Sequence, residues 1–327
     1  MTMTAVTTVA VARHAMATRF EILLHGENAG RLRAAAEEAF DEIERLDAQL
    51  SPYRPGSEIS RINAHAGQGF LRVEPGLFTL FQRAKRLSLE TGGAFDLTVG
   101  PAMDCWGLSR RHAEIPHCAP NPEAIAAARA LIGMEKLLLD EAQGAAGLAL
   151  AGMRLDLGAY GKGWAVERAA TILREAGVAS ALIHGGTSTV CAIGTPPDAD
   201  AWNIALEKPD LARRHRNGSA LNFLTKPRTI VDNPDSGDKF CAVIPLKDDA
   251  LSVSATWGKE IETDGPCVGH VIDPRMGRPV PGAVMAVVAL PLASETDAFS
   301  TALLVCGAAG KESIERLRPG MRAFILP

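Results

Sequence analysis

Aromatic side chains are scarce: two Tyr, four Trp and ten Phe make up 5% of the 327 residues. A ring beside polar or glycine-rich sequence, such as Tyr53 or Phe95, therefore stands out a little more. One-signed charge is also missing. Lys plus Arg (34) nearly balances Asp plus Glu (38), the net charge is -4, and no block of like charges occurs. That pattern speaks against a binder of nucleic-acid backbone or of a membrane surface, so any nucleotide it takes should be small. The six cysteines form no CxxC pair and share no zinc-like spacing with His, and they read as reduced, mostly core residues. No apolar run approaches the eighteen or so residues of a spanning helix. The first twenty residues lack a basic n-region and a long h-region, with no Cys nearby to carry a lipid. The expected compartment is the cytoplasm, with the periplasm as alternative. What remains is 47% hydrophobic and long enough for one large domain or two modest ones.

Hydrophobic periodicity predicts a strand over Thr18 to Leu24 and a helix over Ala29 to Leu50. Ser57 should cap a short helix through Asn63, and Glu74-Pro75 should open another that stops at Gly92-Gly93. Ala94 to Trp106 reads as no ordinary amphipathic element. Helices are expected around Pro120 to Ile132 and from about Lys162 to Gly177, and two strand-like runs join at Gly144. Further strands fall at Ala181 to Ile183, Trp202 to Leu206, Ala250 to Ser254, Gly269 to Ile272 and Ala323 to Leu326, and an apolar run covers Ala283 to Leu290. Two helices, Glu295 to Cys306 and Lys311 to Leu317, precede the last strand. About 209–239 is polar and aperiodic, a surface excursion. Strands and helices mix without strict alternation, which favours an α+β fold.

Five polar or glycine-rich clusters interrupt the apolar sequence: SPYRPGSEISRIN (51–63), GGAFDLTVGPAMDCWG (92–107), DLGAYGKG (156–163), HVIDPRMG (270–277) and TDAFST (296–301). In the third, Gly158, Gly161 and Gly163 free the backbone at a helix N-terminus, where N–H groups and the macrodipole favour a phosphate, and Lys162 adds a positive charge. A tight strand-to-helix turn with a solvated lysine explains the same residues. It is neither a P-loop nor a GxGxxG fingerprint. Asp297 and Thr301 are four apart on a predicted helix and so share a face. They are a hard oxygen pair suited to Mg²⁺. Asp297, Ser294 or Thr296 could instead cap that helix, which is the commoner use of such residues. His270 is a general-base candidate or a hydrogen-bonded core residue, and His184, before Gly185-Gly186, is a second candidate. Phe95 offers a flat surface for a ring system and Asp96 a polar anchor, although aromatics at such places are more often core.

Taken in order, these clusters resemble the FAD:protein FMN transferase, or ApbE, family from about Met16 to Gly307. Met16-Ala17-Thr18, LDLGAYGKGWAVERA, His184-Gly185-Gly186 and HVIDPRMGRPV complete the pattern. The resemblance implies an α+β fold, with mixed sheets and helices packed around a flavin-binding cleft. It implies one domain over 16–327 after an extension at 1–15. FAD, as substrate, would be touched by Met16, Tyr53, Ala94, Phe95, Asp96, Asp156, Lys162 and Val271. Mg²⁺ would be held by Asp297, Thr301, the main-chain carbonyl of Ala159 and Ser300, and His270 would be the base.

The implied reaction splits FAD at its pyrophosphate, passes FMN to a Thr or Ser hydroxyl in a motif of an acceptor flavoprotein, and releases AMP. Positioning and charge neutralisation would do most of the work. Two other functions fit: Mg-dependent FAD pyrophosphatase, if water attacks, and a non-catalytic flavin-binding assembly factor. The chain departs from the family pattern at Ala17, where Gly is common. It departs again at Ser254-Ala255-Thr256-Trp257-Gly258, in place of a Thr-Ser-Gly run, and in the 209–239 excursion. These departures bear on acceptor recognition more than on FAD.

Overall fold

Two strands, β1 (Thr7–Ala15) and β2 (Thr18–Gly26), pair antiparallel across a two-residue loop, Met16-Ala17. They open a computed structural model that describes residues 6–109, 119–207, 240–256, 260–261, 268–282 and 285–326. Both loop residues have positive φ, 50° and 59°, the sign pattern of a type I′ hairpin turn. Residues 7–15, expected as an extension, are thus an edge strand of the main sheet.

Helix α1 (Ala29–Leu50) follows, capped by Asn28, and buries Leu32, Ala36, Phe40, Ile43 and Leu50 at the predicted spacing. Next come α2 (Glu58–Ala64), β3 (Leu71–Arg72), α3 (Pro75–Glu90), α4 (Gly100–Cys105) and α5 (Pro122–Ala130). Ser57 and Glu74 cap α2 and α3. The short α4 lies inside the stretch that has no amphipathic period, because Gly100, Pro101 and Ala102 are all buried. Strands β4 (Leu137–Asp140) and β5 (Ala145–Leu148) complete a small sheet in the order β3-β5-β4.

The second half brings α6 (Gly161–Glu175), β6 (Ser180–Gly185), β7 (Thr189–Ile193), β8 (Trp202–Glu207), β9 (Phe240–Leu246) and β10 (Ala250–Ala255). Four two-residue strands follow: β11 (Glu260–Ile261), β12 (Val268–Gly269), β13 (Ile272–Asp273) and β14 (Arg278–Pro279). Last are β15 (Met285–Leu290), α7 (Ala293–Glu315) and β16 (Arg322–Leu326). Two predicted helices run together in α7, and Gly307, at φ 66° and ψ -168°, breaks it at the expected boundary.

The main sheet has the order β1-β2-β6-β7-β10-β15-β16, with antiparallel pairing throughout. Alternation sorts its side chains. Ile183, Cys191, Ala250 and Val288 join the core shared with α1, α6 and α7. Leu182, Val190, Leu251 and Val287 face the other way and pack under the β8–β9 ribbon through Trp202, Ile204 and Leu246. Both faces of the central strands are therefore buried. Periodicity hides such strands: β7 is apolar without alternation.

Among the described residues no helix is long and apolar enough to cross a membrane. Cys191 is buried, while Cys105, Cys241 and Cys306 are partly exposed and none is in a disulfide. Cys118, Cys267, Trp257 and the 209–239 excursion lie outside the described residues.

Candidate active site

Hydrogen bonds tie all five sequence clusters to one another. Asn63, at the end of the first, donates to Leu155 O at 3.1 Å and accepts from Leu155 N at 2.7 Å, which pins the segment leading directly into the third. Asp156 N donates to Leu97 O at 2.8 Å, joining the third to the second. Trp106 Nε1 donates to Gly277 O at 2.9 Å, joining the second to the fourth. Gly163 N donates to Asp297 Oδ2 at 2.9 Å, joining the third to the fifth. Residues up to 171 positions apart thus meet around one region.

The last bond decides how Asp297 is used. Helix α7 starts at Ala293, so Asp297 sits in its second turn and cannot cap it. It caps α6 instead. Glu167 of α6 accepts from Ser294 N at 3.1 Å and from Ser294 Oγ at 2.5 Å, and so caps α7 in return. Each helix places a carboxylate at the positive end of the other. The crossing is close: a Cβ on Gly163 would lie 2.4 Å from Ala293 O and 2.7 Å from Asp297 Cβ. Glu167 went unread in the sequence. Its signal is an acid one turn beyond Gly163, on the face that meets α7.

These contacts also correct the phosphate-cradle reading of the third cluster. Helix α6 begins at Gly161, and the amides of Gly161 and Gly163 are already engaged, by Leu157 O at 2.7 Å and by Asp297. Lys162 Nζ folds back onto Gly158 O at 3.0 Å. Positive charge for a phosphate is left mainly to that ammonium.

Asp297 is 3% exposed. Burial pushes its carboxyl above the usual range, while the Lys162 ammonium and the Gly163 amide pull against the shift. Oδ2 is held by Gly163. A cation at Oδ1 would offset the desolvation further. Thr301 lies one turn on, and Ser300 Oγ donates to Asp297 O at 3.1 Å. The turn carrying the Ala159 carbonyl directly precedes α6. One carboxylate with hydroxyl and carbonyl oxygens is a hard, sparse donor set. It fits Mg²⁺, which keeps waters and binds substrate phosphates. Among the described residues no three His, Cys, Asp or Glu side chains gather as a metal cluster.

The second cluster is mostly internal. Phe95 is 1% exposed, with its ring 5.5 Å from that of Tyr160, so it offers no free face to a flavin and acts as core. Asp96 Oδ1 accepts from Thr98 N at 2.6 Å and from Thr98 Oγ1 at 2.5 Å, and Oδ2 accepts from Met134 N at 3.1 Å. Burial raises its carboxyl. Ala94 is buried. A cavity of about 1060 Å³ opens beside Asp96, lined also by Lys85, Arg129, Gly133 and Arg275. Lys162, Asp297 and Thr301 do not line it.

Met16, Ala159 and Val271 are partly buried against the same core, and Tyr53 is 37% exposed on its loop. Asp156 Oδ1 accepts from Gly158 N at 2.8 Å and shapes the turn before α6. His270 is half-buried and stands between β12 and β13. The strand expected over Gly269 to Ile272 is split, because each half pairs with a different partner, β11 and β14. His184 lies on the ribbon-covered face with Leu182, away from α6 and α7, and burial pushes its imidazole down to about 3. It reads as a neutral core residue.

The model of the ApbE family matches residues 16–325. A Vibrio cholerae protein named FAD:protein FMN transferase is 29% identical over 266 residues, covering 81% of this chain and 71% of that protein. A Salmonella typhimurium protein of the same name is 26% identical, covering 95% and 82%. Among solved structures, the apo flavinyl transferase ApbE of Pseudomonas stutzeri superposes with a TM-score of 0.79 at 26% identity, covering 99% of this chain and 92% of that one. The apbe protein of Thermotoga maritima, at 24% identity and a TM-score of 0.79, shares the fold over 98% and 94%.

Proposed function

The chain belongs to the ApbE family, and from that premise we propose that it is an FAD:protein FMN transferase. In this reading it splits FAD at the pyrophosphate, joins FMN to a Thr or Ser hydroxyl of an acceptor flavoprotein and releases AMP. The observation that carries the reading is the contact between Asp297 and Gly163, which sets a buried carboxylate beside the Lys162 ammonium. The names of the Vibrio and Salmonella relatives support it.

FAD would lie against Met16, Tyr53, Ala94, Phe95, Asp96, Asp156 and Val271, with Phe95 contributing main chain because its ring is buried. Lys162 would hold the pyrophosphate and balance its charge. Asp297, Thr301, Ser300 and the Ala159 carbonyl would hold Mg²⁺. When bound, that ion would neutralise charge developing on the departing phosphate. His270 would take the proton from the acceptor hydroxyl, a weak nucleophile until deprotonated.

The test is His270→Ala assayed with FAD, Mg²⁺ and an acceptor protein. FMN transfer should fall by about 10²-fold or more while FAD still binds. Transfer at the wild-type rate would remove His270 from the chemistry, and an FAD carrier would show no cleavage in either protein.

A further inference from the structure

Three hydroxyls meet between β10 and α7. Ser254 Oγ lies 2.8 Å from Ser300 Oγ and 3.1 Å from Thr301 Oγ1. One strand repeat earlier, Ser252 Oγ lies 2.7 Å from Thr296 Oγ1. The two contacts match because two residues of strand rise about 6.7 Å and four residues of helix about 6.0 Å. Ser252 and Ser254 therefore stay in register with Thr296 and Ser300.

With the Ser300 proton on the Asp297 carbonyl, proton accounting gives the chain one direction. A hydroxyl has one proton to give and two lone pairs to receive with. Ser300 donates its proton to the Asp297 carbonyl. Ser254 must then donate to Ser300, and only Thr301 is left to donate to Ser254. The run Thr301 to Ser254 to Ser300 to Asp297 O turns the Thr301 proton toward β10 and leaves its lone pairs for another partner. Ser300, fully buried, already gives its proton and receives another.

We propose that Ser254 is a positioning residue, which orients the Thr301 hydroxyl so that its lone pairs face the cation held with Asp297. This rests on the metal reading given above. Thr301, rather than Ser300, is then the hydroxyl ligand. Without Ser254 the Thr301 hydroxyl has lost its acceptor and turns freely, and removing an outer partner of this kind typically weakens metal affinity by about 10-fold or more.

The probe is Mn²⁺, titrated into the purified full-length protein and read as free ion by electron paramagnetic resonance, with thermal melting in parallel. Ser254→Ala should weaken Mn²⁺ binding about tenfold, and Ser254→Thr, which restores a hydroxyl, should recover most of it. Ser252→Ala, which removes the neighbouring rung, should lower the melting temperature but leave Mn²⁺ affinity as in the wild type. Ser254→Ala with wild-type affinity, or Ser254→Thr no better than Ser254→Ala, overturns the proposal while leaving the metal site standing. A wild type that binds Mn²⁺ no more tightly than Asp297→Ala overturns the metal reading and this inference with it.

Discussion

Asp297 on α7 accepts the amide proton of Gly163 in the first turn of α6 at 2.9 Å, across 134 residues of sequence. That contact fixes where the carboxylate points and how closely two buried helices cross. Glu167 and Ser294 make the reverse contact, so the crossing is clamped from both sides.

Gly163 should tolerate no side chain. Gly163→Ala drives a methyl into Ala293 O and Asp297 Cβ, and main-chain atoms cannot step aside as a flexible side chain would. Urea unfolding should show a loss of about 1–3 kcal/mol, together with weaker Mn²⁺ binding. Wild-type stability would mean that the helices are not in contact there.

Removing the opposite clamp should weaken the fold through both helices. Glu167 also pairs with Arg83 at 2.7 Å, and its side chain is mostly buried. Glu167→Ala should cost about 1–3 kcal/mol in urea unfolding, because it strips the cap from α7 and leaves a buried partner unpaired. Glu167→Gln, which keeps the shape and an acceptor oxygen, should cost less. Equal losses in the two variants would contradict the capping role.

At the β1–β2 turn the opposite sign is expected. Ala17 has φ 59°, a conformation that costs an L-residue roughly 1–2 kcal/mol and glycine little. Ala17→Gly should raise the unfolding free energy, by about 1 kcal/mol once the greater freedom of glycine in the unfolded chain is subtracted. A destabilised variant would show that the methyl makes contacts worth more than the strain.

His184 should make stability fall in mild acid. In the unfolded chain its imidazole takes up a proton near the ordinary value of 6.5, but in the folded protein only near 3. Between those values the unfolded state binds more protons. Stability therefore drops as pH falls through the window, by at most about 1.4 kcal/mol per pH unit from this group. Urea midpoints measured from pH 7 to 5 should decline, and less steeply in His184→Gln. Parallel slopes in the two proteins would assign the acid sensitivity elsewhere.

Much of this was readable because local rules and tertiary packing agree. Asn28, Ser57 and Glu74 cap the helices that their positions announce, and the stripe from Leu32 to Leu50 is the buried face of α1. The five clusters are also the segments that hydrogen bonds draw together. What periodicity could not supply was partnership. Nothing local in β7 shows that it lies in mid-sheet, and nothing near His270 shows that its strand changes partners on either side. Asp297 looked like a cap and is one, but for a helix far away in sequence. Phe95 looked like a platform and is core. The proton order through Ser254 becomes visible only when β10 and α7 lie side by side.

Transfer can be read by intact-mass spectrometry of an acceptor flavoprotein incubated with this protein, FAD and Mg²⁺. The acceptor should gain the mass of one FMN as one equivalent of AMP appears, and chelating the metal should abolish both. AMP without a mass gain would make the protein a pyrophosphatase. FAD left intact would contradict catalysis altogether.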